Sequence, residues 1–100
     1  MLCAGDLRLD PATHRVWRGD AVIPLTPRQF ALLEFLMRRA GEVLSKSTIL
    51  EHVWDFAYDG DLNIVEVYVH QLRQRIDDPY RRTSLQTVRG VGYRVDPDGG

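Results

Sequence analysis

The chain carries one cysteine, Cys3, so an internal disulfide framework is excluded. No apolar run is long enough to span a bilayer. The opening MLCAGDLRLD has neither the basic nor the apolar segment of an export signal. Together these features fit a reducing cytoplasm, with no membrane partner. Signatures of chemistry are missing as well. Cys3, His14, His52 and His70 show no CxxC or HExxH spacing. Ser45 and Ser47 near His52 read as cap, helix start and helix face, not as a triad. No Walker or dinucleotide glycine loop occurs. The expectation is no enzyme, no metal and no cofactor.

A basic surplus is also absent. Thirteen Lys and Arg face fourteen Asp and Glu, giving a net charge of −1 and a pI near 6.3. Phosphate binding is driven by cations, so that total alone argues against nucleic acid. Distribution changes the picture. From Asn63 to Val95 the bases Arg73, Arg75, Arg81, Arg82, Arg89 and Arg94 outnumber Glu66, Asp77 and Asp78. The acidic excess lies earlier, so the C-terminal third is the positive end.

What is present suits one small globular domain: 100 residues, 44% apolar and 27% charged, without repeat or linker. Residues 2–25 read as short antiparallel strands. Leu7 and Leu9 alternate with Arg8 and Asp10, Pro11-Ala12 turns the chain, and Gly19-Asp20 makes a hairpin before a run from Ala21 to Leu25. Met1 to Ala4 can add an edge strand. Thr26-Pro27-Arg28-Gln29 is a helix start with a capping box, and Phe30, Leu33, Leu36, Met37 and Ala40 continue at helical spacing until Gly41. This predicts a core helix over 27–40. Ser45 opens a shorter one over 46–54, with Ile49, Leu50, Val53 and Trp54 inward. Asp55 to Leu62 reads as an acidic loop.

The third helix, over 63–77, organises the rest. Val65, Val69, Leu72 and Ile76 fall on one stripe spaced i, i+4, i+7, i+11. The opposite side carries Asn63, Val67, His70, Gln71 and Gln74, flanked by Ile64, Tyr68, Arg73 and Arg75. A solvated face usually mixes Lys and Glu. Amides, an imidazole, guanidinium groups and small apolar groups can instead read base edges. Asn63 with Glu66 matches a capping box, with Asp61 as the alternative cap, and Asp77-Asp78-Pro79 ends the helix. A β-hairpin over 83–96 follows, its tip Arg89-Gly90-Val91-Gly92, both glycines read as serving turn geometry. Asp96 to Gly100 should fray. The architecture expected is α+β: an N-terminal antiparallel sheet, three helices and a C-terminal hairpin.

Three blocks, LTPRQFALLEFLMRRAGEVLSKSTILEHVW, NIVEVYVHQLRQRI and TVRGVGYRV, resemble the OmpR/PhoB-type winged-helix domain, the effector half of two-component response regulators. The resemblance runs from about Leu7 to Val95. It implies sequence-specific binding of double-stranded DNA and control of transcription, with the third helix in the major groove and the hairpin wing in the minor groove. The implied contacts are Asn63, Ile64, Val67, Tyr68, His70, Gln71 and Arg73, with Gln74 and Arg75 beside them on the helix. On the wing they are Thr87, Arg89, Gly90 and Tyr93. Lys46, Ser47 and Trp54 are implied near phosphates. The loop bearing Asp55, Phe56, Tyr58 and Asp59 matches a segment that touches RNA polymerase. Implied partners are direct-repeat half-sites bound by a tandem dimer, plus a receiver domain outside these 100 residues and its sensor kinase; an excised effector domain is the expected explanation. None of Asp55, Asp59 or Asp61 is cast as the phosphoacceptor.

Departures from the family pattern carry expectations too. Many relatives have consecutive arginines where this chain has His70-Gln71, and often His where it has Tyr68. Gln can pair bidentately with adenine while Arg prefers guanine, so Gln71 is expected to favour adenine. Arg89 reads as a minor-groove arginine over one held by a nearby carboxylate. His70 stands between phosphate contact, solvation and a charge change near neutral pH. Trp17 and Trp54 read as packing residues first, and Arg81-Arg82 as a solvated pair. A protein-docking winged helix is the competing class, and a glycine-tipped wing that keeps Arg89 argues against it.

Overall fold

The computed structural model describes residues 1–54 and 61–100. The elements are β1 (Leu2–Ala4), β2 (Leu7–Asp10), β3 (Arg15–Arg18), β4 (Ala21–Val22), α1 (Pro27–Arg38), α2 (Lys46–Val53), α3 (Asn63–Ile76), a 3₁₀ turn (Asp78–Tyr80), β5 (Leu85–Val88) and β6 (Gly92–Val95). Strands β1 to β4 form one antiparallel sheet in sequence order, and β5 and β6 pair as a hairpin. The α+β architecture expected from the pattern is the one observed. Strand β4 is shorter than the run to Leu25. Ile23 still donates to the Val16 carbonyl at 2.9 Å, but Pro24 has no N–H to continue the ladder.

Alternation along the strands turns Ala4, Leu7, Leu9 and Val16 inward onto the helices. Helix α1 starts at the expected capping box. The Gln29 N–H donates to Thr26 Oγ1 at 3.3 Å, and the Thr26 N–H donates to Gln29 Oε1 at 3.0 Å. Phe30, Leu33, Leu36 and Met37 are buried as the spacing requires, joined by Leu32. The Ser45 hydroxyl caps α2 by accepting from the Thr48 N–H at 3.1 Å. Val65, Val69, Leu72 and Ile76 of α3 are sealed in the core, each contributing roughly 1.5–3 kcal/mol over exposure.

Several local expectations are corrected. Asn63 does not cap α3 but is its first residue, and its N–H donates to Asp61 Oδ1 at 2.9 Å. Glu66 turns to Lys46 across the helix pair instead of back to the helix start, because a cation within reach outcompetes a backbone N–H. Gly92 does not serve the turn. A Cβ there would lie 1.9 Å from the Leu44 carbonyl oxygen. Leu44 and Tyr93 exchange backbone bonds of 2.8 and 2.9 Å, so the segment between α1 and α2 lies alongside the hairpin. Gly90, at φ +75°, does serve the turn. The tail beyond Val95 is tied down. The Asp96 N–H donates to the Ser84 carbonyl at 2.8 Å, and the Ser84 hydroxyl donates to the Gly99 carbonyl at 2.6 Å. Gly5 makes room for it, since a Cβ there would meet the Asp98 carbonyl oxygen at 2.5 Å.

Candidate nucleic-acid interface

The buried stripe of α3 forces its opposite side outward. Asn63, Val67, His70 and Gln74 form an exposed ridge, again spaced i, i+4, i+7, i+11. Two supports flank the ridge. On one side Arg73 fastens α3 to the wing: its Nε donates to the Leu85 carbonyl at 3.0 Å and its Nη2 to Thr87 Oγ1 at 2.6 Å, with the guanidinium 5.8 Å from the Tyr93 ring. Arg73 and Thr87 therefore brace the two elements. Tyr93 is only 6% exposed, so its ring belongs to the core instead of the expected contact surface.

On the other side, Tyr68 meets Trp54 edge-on at 5.3 Å between ring centroids, and Arg28 lies over Trp54 at 5.3 Å. Arg28 also donates to the Val53 carbonyl, closing the end of α2. Trp54 is buried, in keeping with its packing role. Tyr68, Gln71, Thr26, Pro27, Arg28 and Ala31 line a shallow cleft beside the ridge. Ile64 is half-buried against the core. Gln71 is also half-buried, and its Oε1 accepts from Gln29 Nε2 at 3.2 Å.

A second cleft separates the wing from the start of α2. Ser45, Lys46, Ser47, Glu66 and wing residues 87–93 line it. The Lys46 ammonium is paired with Glu66, and that hydrogen bond holds its pKa above the ordinary lysine value. Phosphate would have to compete with this carboxylate. Ser47 is exposed, as are Arg75, Arg89 and Gly90. The fold thus brings Lys46, Ser47 and Glu66 together with Arg89 around one cleft, and sets the α3 ridge beside it. Asp55, Phe56, Tyr58 and Asp59 lie outside the described residues.

Arg18 escaped the sequence reading. It is 3% exposed and donates to the Ile76 carbonyl (3.1 and 2.8 Å), Asp6 Oδ1 (2.9 Å), Asp77 Oδ1 (2.8 Å) and Ser84 Oγ (2.9 Å). Asp77 also accepts the Ser84 and Leu85 N–H groups at 3.1 and 3.0 Å. This cluster ties β3, the end of α3 and the start of the wing together, and so fixes the angle between the ridge and the hairpin. Burial pushes the Asp77 carboxyl up, against the pull of those N–H groups and of Arg18. The Arg18 hydrogen bond holds the more exposed Asp6 carboxyl below its ordinary value. One signal was available: Arg18 sits two residues after inward-facing Val16, on the same strand face.

Among the described residues no group of three or more His, Cys, Asp or Glu is placed to hold a metal, and no helix is long and apolar enough to cross a membrane. The family model described as "Transcriptional regulatory protein, C terminal" matches residues 19–95. The chain is 55% identical over 97 residues to the transcriptional regulatory protein TcrA of Mycobacterium tuberculosis (strain ATCC 25618 / H37Rv), covering 97% of this chain and 38% of TcrA. It is 45% identical over 95 residues to the transcriptional regulatory protein CusR of Escherichia coli (strain K12), covering 94% and 42%. The chain therefore spans about two-fifths of these relatives. Among solved structures, the Klebsiella pneumoniae RstA DNA-binding domain in complex with the RstA box aligns with a TM-score of 0.84 at 28% identity, over 96% of each chain. The Thermotoga maritima response regulator DrrB, an OmpR/PhoB homolog, aligns with a TM-score of 0.81 at 31% identity, over 92% of this chain and 42% of DrrB. This chain belongs to the family of C-terminal domains of transcriptional regulatory proteins, as a winged-helix effector domain of the OmpR/PhoB type, a family of transcription regulators and not of enzymes.

Proposed function

We propose that the chain acts as one winged-helix unit that binds double-stranded DNA sequence-specifically and controls transcription. The observation that carries this reading is the exposed α3 ridge, Asn63, Val67, His70 and Gln74, standing beside a wing tipped by Arg89. A helix of this width fits the major groove, where each base pair presents a distinct donor and acceptor pattern. Arg89 suits the negative potential of the adjacent minor groove. Lys46, Ser47 and Arg75 serve the phosphates, with Lys46 exchanging Glu66 for phosphate on binding.

The chain works within a longer cytoplasmic response regulator, whose receiver domain is phosphorylated by a sensor kinase and brings two effector domains onto direct-repeat half-sites. Linked sites gain through effective concentration, so weak binding by one domain is sufficient. Asp55, Phe56, Tyr58 and Asp59 are assigned to contact with RNA polymerase on the strength of the family resemblance alone.

Selection from a random duplex pool tests the core of this reading. A repeated half-site spaced by about one helical turn is expected. Replacing Arg89 with Ala should weaken binding to the selected site by about 1–3 kcal/mol, with loss of preference outside the major-groove bases. Failure to select any motif, with negligible duplex binding even at low salt, would transfer the ridge to a protein partner.

A further inference from the structure

Three amides in this domain form a chain of fixed polarity. The Thr26 N–H can only donate, and it donates to Gln29 Oε1 at 3.0 Å. That bond orients the Gln29 amide, which is 6% exposed and has no freedom to reverse without setting its NH₂ against the Thr26 N–H. Gln29 Nε2 therefore points toward α3, where it donates to Gln71 Oε1 at 3.2 Å. Reversing Gln71 would face one NH₂ with another. The capping box of α1 thus dictates which end of the Gln71 amide is left for a ligand.

We infer that Gln71 meets DNA as a hydrogen-bond donor through Nε2, and that Gln29 is the positioning residue that makes it so. The inference rests on the DNA-reading assignment above and reverses the expectation that Gln71 favours adenine. A bidentate adenine pair needs the Gln oxygen beside the NH₂ to accept from N6, and here one of that oxygen's two lone pairs is taken by Gln29, which holds the carbonyl toward α1. A lone NH₂ suits the keto bases, guanine through O6 and N7 or thymine through O4. It disfavours cytosine, which offers only the N4 donor, and ranks adenine below guanine, since adenine offers one acceptor, N7, beside its N6 donor, against two on guanine.

Gln29→Glu tests this without removing the cap, because Glu at the third helical position preserves the capping box. A carboxylate has no N–H to offer. In this variant Gln71 should therefore rotate, donate to the new carboxylate and present Oε1 outward. Gln71→Ala first identifies the base position that depends on Gln71 in duplex selection. At that position the unaltered protein should prefer a keto base, and Gln29→Glu should move the preference to an amino base by at least about fivefold. A helix-capping role alone would change stability and leave base preference where it was. An adenine preference in the unaltered protein, or an unchanged keto preference in folded Gln29→Glu, overturns the inference.

Side-chain amide NMR on the free domain separates it from the DNA reading. The Gln29 NH₂ should be protected from exchange in the unaltered protein, and the Gln71 NH₂ in Gln29→Glu. If this pattern appears but no motif is selected, the DNA reading has failed and takes the donor assignment with it. If a motif is selected but the protection is absent, the DNA reading stands and the amide chain is wrong.

Discussion

At the residue scale, Arg18 gathers its hydrogen bonds in a place where a charge is costly. Its guanidinium is satisfied on every side by Asp6, Asp77, Ser84 and the Ile76 carbonyl. Removing one member of a buried ion pair leaves the other uncompensated, so Arg18→Ala should destabilise the domain by about 3–5 kcal/mol in urea unfolding. A loss below about 1 kcal/mol would mean that Asp77 finds other partners. Asp6 behaves differently because its side chain is 44% exposed. Its folded pKa is lowered by Arg18, so its contribution is present above the unfolded carboxylate pKa and fades as pH falls through the folded value. Asp6→Asn should cost under about 1 kcal/mol at pH 7, after discounting for solvent screening, and the difference should vanish in acid. Asp77 has the opposite sign, its raised pKa favouring the folded state as pH falls. Comparing Asp6→Asn with the unaltered protein across pH isolates the first effect. A difference that grows in acid would contradict it.

At the scale of elements, periodicity and capping made the helices legible. Thr26 with Gln29 and Ser45 with Thr48 are local signals that survive folding because both partners lie within one turn. The start of α3 departs from its local signal because Lys46, 20 residues from Glu66 along the chain, captures that carboxylate. The wing was legible as a hairpin, but not as a hairpin paired with Leu44. That pairing makes a steric prediction. Gly92→Ala places a methyl group against the Leu44 carbonyl, where the clash cannot be relieved by rotating a side chain. A loss of at least about 2 kcal/mol is expected by thermal or urea unfolding, within the range for overpacking. Gly90→Ala meets no neighbouring atom within 4 Å, and only its positive φ opposes it, so it should cost less, about 1 kcal/mol. An equal cost at both positions would return Gly92 to a turn role.

At the scale of the whole molecule, the near-neutral charge sets how the domain should respond to salt. Of the cations around the ridge and wing, Arg73 is bound to Leu85 and Thr87, Arg28 to Val53, Arg94 to Gln86, and Lys46 to Glu66. Arg75 and Arg89 stand exposed. About two or three phosphate contacts per domain follow, counting Lys46 after exchange, and the slope of log K against log salt should then be on the order of −3 per bound domain. A slope near about −6 would require cations from elsewhere on the surface. Such a shallow dependence fits a domain that gains affinity from pairing more than from its own charge.

Sequence alone established the elements, the buried stripe of α3 and the ridge opposite it, since each follows from spacing within a few residues. Its three motif blocks also established the family. Only folding in three dimensions settled how those elements are clamped and what their polar groups face. Arg73 and Tyr93, expected at the DNA, join α3 to the wing and fill the core. Arg18 reaches partners 58 to 66 residues away, and Gln29 reaches Gln71 across 42. Hydrogen-bond direction is settled by partners, and partners distant in the chain leave no periodicity to read. The face of the third helix was therefore legible, while the polarity of the amide on it was not.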